Sequence, residues 1–375
     1  MNLGLYIHIP FCRSKCLYCD FCSFPRADGE TLAAYVDALC RDLTARAEIC
    51  RDYTVDTVYF GGGTPTLLSS KMLCAILEAV YSHYRVAENA EITAECNPAT
   101  GGKESFAAMR KSGFNRLSIG LQSAHANELR ALGRLHTFAD FARTFAQARE
   151  AGFENISADV MSGIPQQTEE SYLQTLSQLC ALRPEHISSY GLTVEEGTPF
   201  GRMGERLVLP DEEATRQMYF GGIDFLAQNG YGQYEISNFA RVGYESRHNL
   251  KYWNCEEYLG FGPAAYSDFC GKRFGNSRDL AAYIKGEEIV CESESPSQND
   301  RMNEYVMLRM RLSEGIGAKA FETRFGRSFD DAFGKWLGKY ENGGFVRRTD
   351  GGFAFTPEGM YVSNAILSEI LDFDE

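Results

Sequence analysis

Two hydrophobic periods alternate along the first half of the chain. Short apolar runs bounded by glycine, proline or polar residues predict β-strands at 3–9, 55–60, 91–96, 116–121, 155–161 and 186–194. Between them, apolar residues recur every three or four positions, the spacing of one helix face. Leu32, Tyr35, Val36, Leu39 and Leu43 stripe a helix at 29–47, and Leu73, Ile76, Leu77 and Val80 stripe one capped by Ser70. Phe106 and Met109 mark a short helix before Gly113. Phe138, Phe141 and Phe145 mark one closed by Gly152, and Tyr172, Leu176 and Leu179 one stopped before Pro184. Strands alternating with helices predict an α/β fold with a parallel sheet. Six repeats fall short of the eight of a closed barrel, which gives a partial (βα)6 TIM-like barrel with an open side. A doubly wound sheet shares the same periodicity.

After Pro210 the pattern changes. Residues 211–228 read as a helix, and 231–286 are rich in aromatic residues and glycine, with HNLKYW at 248–253. A polar stretch at 293–299 reads as a linker. Beyond it come helices at 301–312, 317–325 and 329–340, a hairpin at 344–356 turning at Asp350-Gly351-Gly352, and a last helix at 357–371. The expected organisation is a partial barrel at 1–210, an aromatic extension at 211–292 and a mostly helical, winged-helix-like C-terminal domain at 293–375.

Composition narrows the function. The net charge of −14 over 375 residues argues against nucleic acid as a partner, including for the winged C-terminal part. Twelve cysteines would suit an oxidised secreted protein, but the first residues have no basic segment and their apolar run is broken by His8 and Pro10. No stretch approaches the roughly 18 apolar residues that span a bilayer. The expectation is a cytoplasmic protein in which clustered cysteines bind metal.

That cluster is the densest chemical signal. Cys12, Cys16 and Cys19 form C-x3-C-x2-C directly after the first strand, with Cys22 close behind. Three thiolates in one loop suit three irons of a [4Fe–4S] cluster, leaving one iron open to another ligand. With Cys22 as a fourth ligand, a structural zinc site is the alternative. The other strands end in chemistry too, where α/β folds bind ligands. The second runs into GGGTPT, which contains Gly62, Gly63 and Thr64 and lets a ligand approach the backbone. Glu95 and Gln122 end the third and fourth, and Asp159 sits in an otherwise apolar fifth, where a carboxylate needs a partner or a ligand. Tyr190 lies in the sixth. By itself Arg134 reads as a solvated helix-end cation, His248 and Asn249 as turn caps, and Tyr252 and Trp253 as core filling.

Together, YIHIPFC, the cysteine spacing and GGGTPT resemble the radical S-adenosylmethionine (SAM) superfamily. Over nearly the whole chain the resemblance is to its branch of oxygen-independent coproporphyrinogen III oxidase and related heme chaperones. It implies that Cys12, Cys16 and Cys19 hold a [4Fe–4S] cluster whose open iron binds SAM. Tyr6, Gly62, Gly63, Thr64, Glu95, Gln122, Arg134 and Asp159 would contact SAM, with Tyr190 and Gly191 near its adenine. HNLKYW resembles the HNxxYW motif associated with heme, which assigns heme to His248, Asn249, Tyr252 and Trp253. Only five residues precede Tyr6, and Asp20 and Phe21 separate Cys19 from Cys22, so the oxidase's leader and its C-x-C pair are both missing. The expected function is therefore a heme chaperone without oxidase activity. It would deliver heme to acceptor hemoproteins such as membrane-bound respiratory subunits, as a homodimer with peripheral membrane attachment. The alternative is the oxidase itself, which decarboxylates coproporphyrinogen III.

Overall fold

The computed structural model describes residues 1–98 and 100–370. Strand β1 (Asn2–Ile9) leads into the cysteine loop, where two short strands, β2 (Phe11–Cys12) and β3 (Phe24–Pro25), pair in parallel. Strands β4 (Thr54–Gly62), β5 (Val86–Cys96), β6 (Arg116–Gln122), β7 (Asn155–Ser162) and β8 (His186–Gly191) then add side by side, all parallel to β1. These are the six strands that the sequence pattern predicts. The last stops at Gly191 rather than 194; the N–H of Leu192, donated to the Ser162 carbonyl, is the final bond of its ladder with β7. The second helix is capped by Ser69, one residue before the expected Ser70, with Ser69 Oγ accepting from Met72 N–H.

The sheet continues past both ends of this set. On one side β9 (Gly232–Gln233) and β10 (Asn238–Ala240) pair antiparallel, with β10 against β8. On the other, β11 (Tyr258–Phe261) joins β1 in parallel, followed by antiparallel β12 (Tyr266–Phe269), β13 (Lys272–Asn276) and β14 (Val290–Glu294). The result is one open 12-stranded sheet in the order β14-β13-β12-β11-β1-β4-β5-β6-β7-β8-β10-β9. The expected linker is thus partly strand, and the helix Gln298–Arg309 begins inside it at its Ser297 cap, ahead of the expected start at 301.

Side-chain alternation gives the barrel two unlike faces. Leu3, Leu5, Ile7 and Ile9 pack under the helices with Val58, Phe60, Ile92, Leu117, Ile119 and Ile156. The residues between them, such as Tyr59, Glu95, Ser118 and Asp159, take the opposite face. TIM barrels usually fill that inner face with branched apolar side chains. Here it is polar and encloses a cavity.

A second core forms around Trp336 from residues between Met302 and Ile370. Helices Gln298–Arg309, Ala318–Phe325 and Phe329–Asn342 pack with a small sheet of β15 (Ile316–Gly317), β16 (Val346–Thr349) and β17 (Gly352–Phe355). The expected last helix is two, Pro357–Tyr361 and Ser363–Ser368, broken at Val362; Leu371, its expected end, lies outside the described residues. Backbone bonds from Ile236 N–H to Arg311 O and from Ser313 N–H to Tyr234 O tie this part to the segment after β9. Among the described residues, no helix is long and apolar enough to cross a membrane.

Candidate functional site

The strand ends converge on a cavity of about 330 Å³, within the range of small-molecule sites. Cys12, Cys16 and Cys19 all line it. Cys22 is buried and is not among those lining residues; its carbonyl accepts from His8 Nε2 at 2.9 Å. The loop is knitted to its surroundings by Leu17 N–H to Leu132 O and Phe200 N–H to Leu17 O. Two cysteine sulfurs have polar neighbours from outside the loop. Thr64 Oγ1 lies 3.6 Å from Cys12 Sγ, and Arg134 Nη1 donates to Cys16 Sγ at 3.4 Å. Among the described residues, no three His, Cys, Asp or Glu side chains close around one point as a single metal ion requires. A cubane asks for a wider spacing, because each thiolate meets a different iron.

The glycine turn presses against this loop. Gly62 has φ +109°, and a Cβ there would stand 2.5 Å from the His8 ring. A Cβ on Gly63 would stand 2.6 Å from the Phe11 carbonyl oxygen. Gly63 and Thr64 donate their N–H groups to Ile9 O and Phe11 O. Gly62 donates to Glu95 Oε2 at 3.1 Å, so the turn carries its own acceptor.

Below the turn the wall is charged. Glu95 also accepts from Tyr59 OH at 3.0 Å; burial and the nearby Asp159 charge push its carboxyl up to about 7. Asp159 accepts from Ser118 Oγ at 2.9 Å, and burial raises its pKa as well. Gln122 ends β6 with φ +67°, a left-handed turn that brings its side chain to the cavity. Tyr190 lines the wall too. Tyr6 is not among the lining residues. It donates to His8 Nδ1 at 3.0 Å and stacks beside Tyr59 and His248.

Several wall residues, Tyr59, Ser118 and Arg116 among them, escaped the sequence reading. Arg116 opens β6, is 2 % exposed and lines the cavity. Its charge acts on both Glu95 and Asp159. The signal was available in the alternation Arg116-Ser118-Gly120-Gln122, which puts the arginine on the face of the other polar strand residues.

HNLKYW forms most of a short helix, Arg247–Trp253, laid across the lower end of the strands. Glu91 of β5 accepts from the backbone N–H groups of Arg247 and His248 at 3.1 and 3.0 Å. At the other end, Arg324 donates to the carbonyls of Asn254 and Cys255, and Arg309 to the Asn254 side chain. The motif's side chains divide. His248 is buried, with Nδ1 on Thr57 Oγ1 and Nε2 on Tyr252 OH, both at 2.8 Å. Burial pushes its pKa down to about 3. Lys251 is buried in ion pairs with Asp56 and Glu256. Asn249 lines the cavity, and Trp253, one turn on along the same face, is half-buried and joins neither core.

Comparison with known proteins fits this geometry. Residues 6–179 match the radical SAM superfamily, and 297–362 match the HemN C-terminal domain. The heme chaperone HemW of Bacillus subtilis is 32% identical over 98% of both chains, and that of Escherichia coli is 36% identical over 83% of both. This chain belongs to the HemW family. The solved structure of Escherichia coli coproporphyrinogen III oxidase (HemN), a radical SAM enzyme, has the same fold as this HemW relative. Its TM-score is 0.86 at 23% identity, over 98% of this chain and 90% of that one. As a radical SAM family, HemW implies a [4Fe–4S] cluster and SAM.

Proposed function

We propose that this protein is a heme chaperone that binds heme and passes it to acceptor hemoproteins, with a [4Fe–4S] cluster and SAM as its resident cofactors. The observation that carries this reading is the near full-length similarity to proteins named heme chaperone HemW. Cys12, Cys16 and Cys19 would hold the cluster, whose fourth iron would take the amino and carboxylate groups of SAM. The donor set suits it: three thiols face one cavity, beside a glycine turn that admits a ligand against the backbone. Gly62, Gly63 and Thr64 border the methionine end. Glu95 and Asp159 are acceptors for hydroxyl or ammonium groups, and Gln122 and Arg134 are donors for a carboxylate. Tyr6 acts from behind, by fixing His8 under the glycine turn.

Within the heme motif the roles separate. His248 and Tyr252 bond to each other and hold the helix on the barrel. Asn249 and Trp253 offer the heme-facing side, a polar group and a flat indole for the macrocycle. The acceptors we favour are membrane-bound respiratory hemoproteins, reached by a cytoplasmic homodimer that attaches peripherally to the membrane.

The test is heme titration of anaerobically reconstituted protein, with and without replacement of the whole motif at 248–253. Stoichiometric binding that fails on replacement supports the reading, and binding indifferent to the motif contradicts it. Anaerobic turnover of coproporphyrinogen III to protoporphyrinogen IX would instead make the protein an oxidase.

A further inference from the structure

The arrangement of Arg134 has a use apart from SAM. Its Nη2 donates to the Gly120 carbonyl at 2.9 Å, which fixes the guanidinium on β6, while Nη1 is directed at Cys16 Sγ. The segment that carries it is held on both sides. Arg134 N–H bonds to Leu129 O, and Leu132 O accepts from Leu17 N–H of the cysteine loop. Gly133, at φ +74°, lets the two segments touch, since a Cβ there would stand 3.1 Å from Leu17 Cγ. Backbone bonds thus steady both the guanidinium and the loop that carries the sulfur.

The three cysteines are not treated alike. Cys12 has the neutral Thr64 hydroxyl as its polar neighbour at 3.6 Å. Cys16 has a guanidinium, and the Tyr18 hydroxyl faces the same sulfur. Hydrogen bonds to cluster sulfurs are one of the means by which a protein sets a cluster's potential. A charged donor counts for more than a neutral one, and more again in a site shielded from water.

We propose that Arg134 is a positioning residue that acts through Cys16 to raise the reduction potential of the cluster. The inference rests on the reading above that Cys16 is a cluster ligand. Reduction adds one electron, and part of that negative charge falls on the thiolate sulfurs. A cation fixed on one sulfur stabilises the reduced form more than the oxidised form. Removing it lowers the midpoint. A tenfold loss in that preference is about 59 mV for a one-electron couple.

The experiment is a potentiometric titration of the reconstituted cluster, followed by electron paramagnetic resonance, without SAM. Leaving SAM out removes any effect that Arg134 has as a SAM contact. Arg134→Met is expected to shift the midpoint negative by about 59 mV. Arg134→Lys keeps the charge and is expected to shift it less. Thr64→Val, which removes only a neutral donor from Cys12, is also expected to shift it less than Arg134→Met. A midpoint equal to wild type in Arg134→Met at full iron content overturns the proposal. If Arg134→Met does not load iron, Arg134→Lys carries the test: an unchanged or more positive midpoint overturns it, and a negative shift supports it. Iron content of Cys16→Ala checks the premise separately. Full iron there removes the ligand assignment, whereas loss of iron with an unshifted Arg134→Met removes only this inference.

Discussion

The His248 imidazole and the Tyr59 ring stack with centroids 5.1 Å apart and planes 22° from parallel. Tyr59 in turn donates to Glu95, the acceptor of the glycine turn. The heme motif and the expected SAM wall therefore share one aromatic contact. Both ring nitrogens of His248 are already engaged, so the imidazole serves the fold. We expect His248→Ala to destabilise the protein by about 2–4 kcal/mol, through lost packing and the loss of a partner for the buried Thr57 hydroxyl and the half-buried Tyr252 hydroxyl. Trp253→Ala is expected to change stability by less than about 1 kcal/mol and to weaken heme binding at least tenfold. Urea unfolding beside heme titration separates the two, and a stable His248→Ala protein would contradict the assignment.

Cysteine replacement should divide the loop. Alanine at Cys12, Cys16 or Cys19 is expected to abolish cluster assembly. Cys22→Ala, outside the cavity lining, is expected to retain wild-type iron and the brown absorbance of the cluster. Loss of iron in Cys22→Ala would make it a ligand after all.

Glu95 gives the ligand-free protein a pH dependence of defined sign. Its carboxyl titrates near 4.5 when unfolded and at about 7 when folded. Between those values the folded state keeps a proton that the unfolded state has released. Stability therefore falls as pH rises through this window, and the full penalty is present above it. Glu95→Gln removes that contribution. Its stability relative to wild type is expected to climb from pH 4.5 to 7, by at most about 1.4 kcal/mol per pH unit, and to level off beyond. Parallel stability curves from urea unfolding would refute the burial argument.

Gly63 meets backbone rather than a movable side chain. Gly63→Ala would force its Cβ against the Phe11 carbonyl oxygen and, at 2.9 Å, the Phe11 nitrogen. We expect a loss of about 2–3 kcal/mol and poorer iron loading, since Phe11 adjoins Cys12. Gly29→Ala, with nothing within 4 Å of the added carbon, is the control and is expected to be close to neutral. Equal melting temperatures for the two variants would show that the turn has slack.

Much of this was legible because it is local. Apolar spacing located the six parallel strands, the positions at their ends drew attention to Gly62, Glu95 and Gln122, and a carboxylate inside an apolar strand drew it to Asp159. What local pattern could not give was pairing over long separations. The contact between β1 and β11 joins Gly4 to Tyr258, and His248 lands on Thr57. HNLKYW therefore read as a single binding motif, whereas tertiary packing buries His248, puts Asn249 on the cavity and leaves Trp253 half-buried. Arg116 was missed for the same reason. A lone arginine at a strand start is ordinarily solvated, and only the curvature of the sheet encloses it.

The short helix Arg247–Trp253 is held by a carboxylate from the barrel at its first turn and by two guanidiniums from the C-terminal part just past its last residue. Both ends of its dipole are met, by groups from opposite halves of the molecule. The helix is therefore a shared component and not the property of either half. A chain cut after Glu294 would lose Arg309 and Arg324 and leave the Asn254 and Cys255 carbonyls, just past the helix, without those donors. The C-terminal part is thus a splint for the barrel floor, and the two halves should be purified, stored and engineered as one piece.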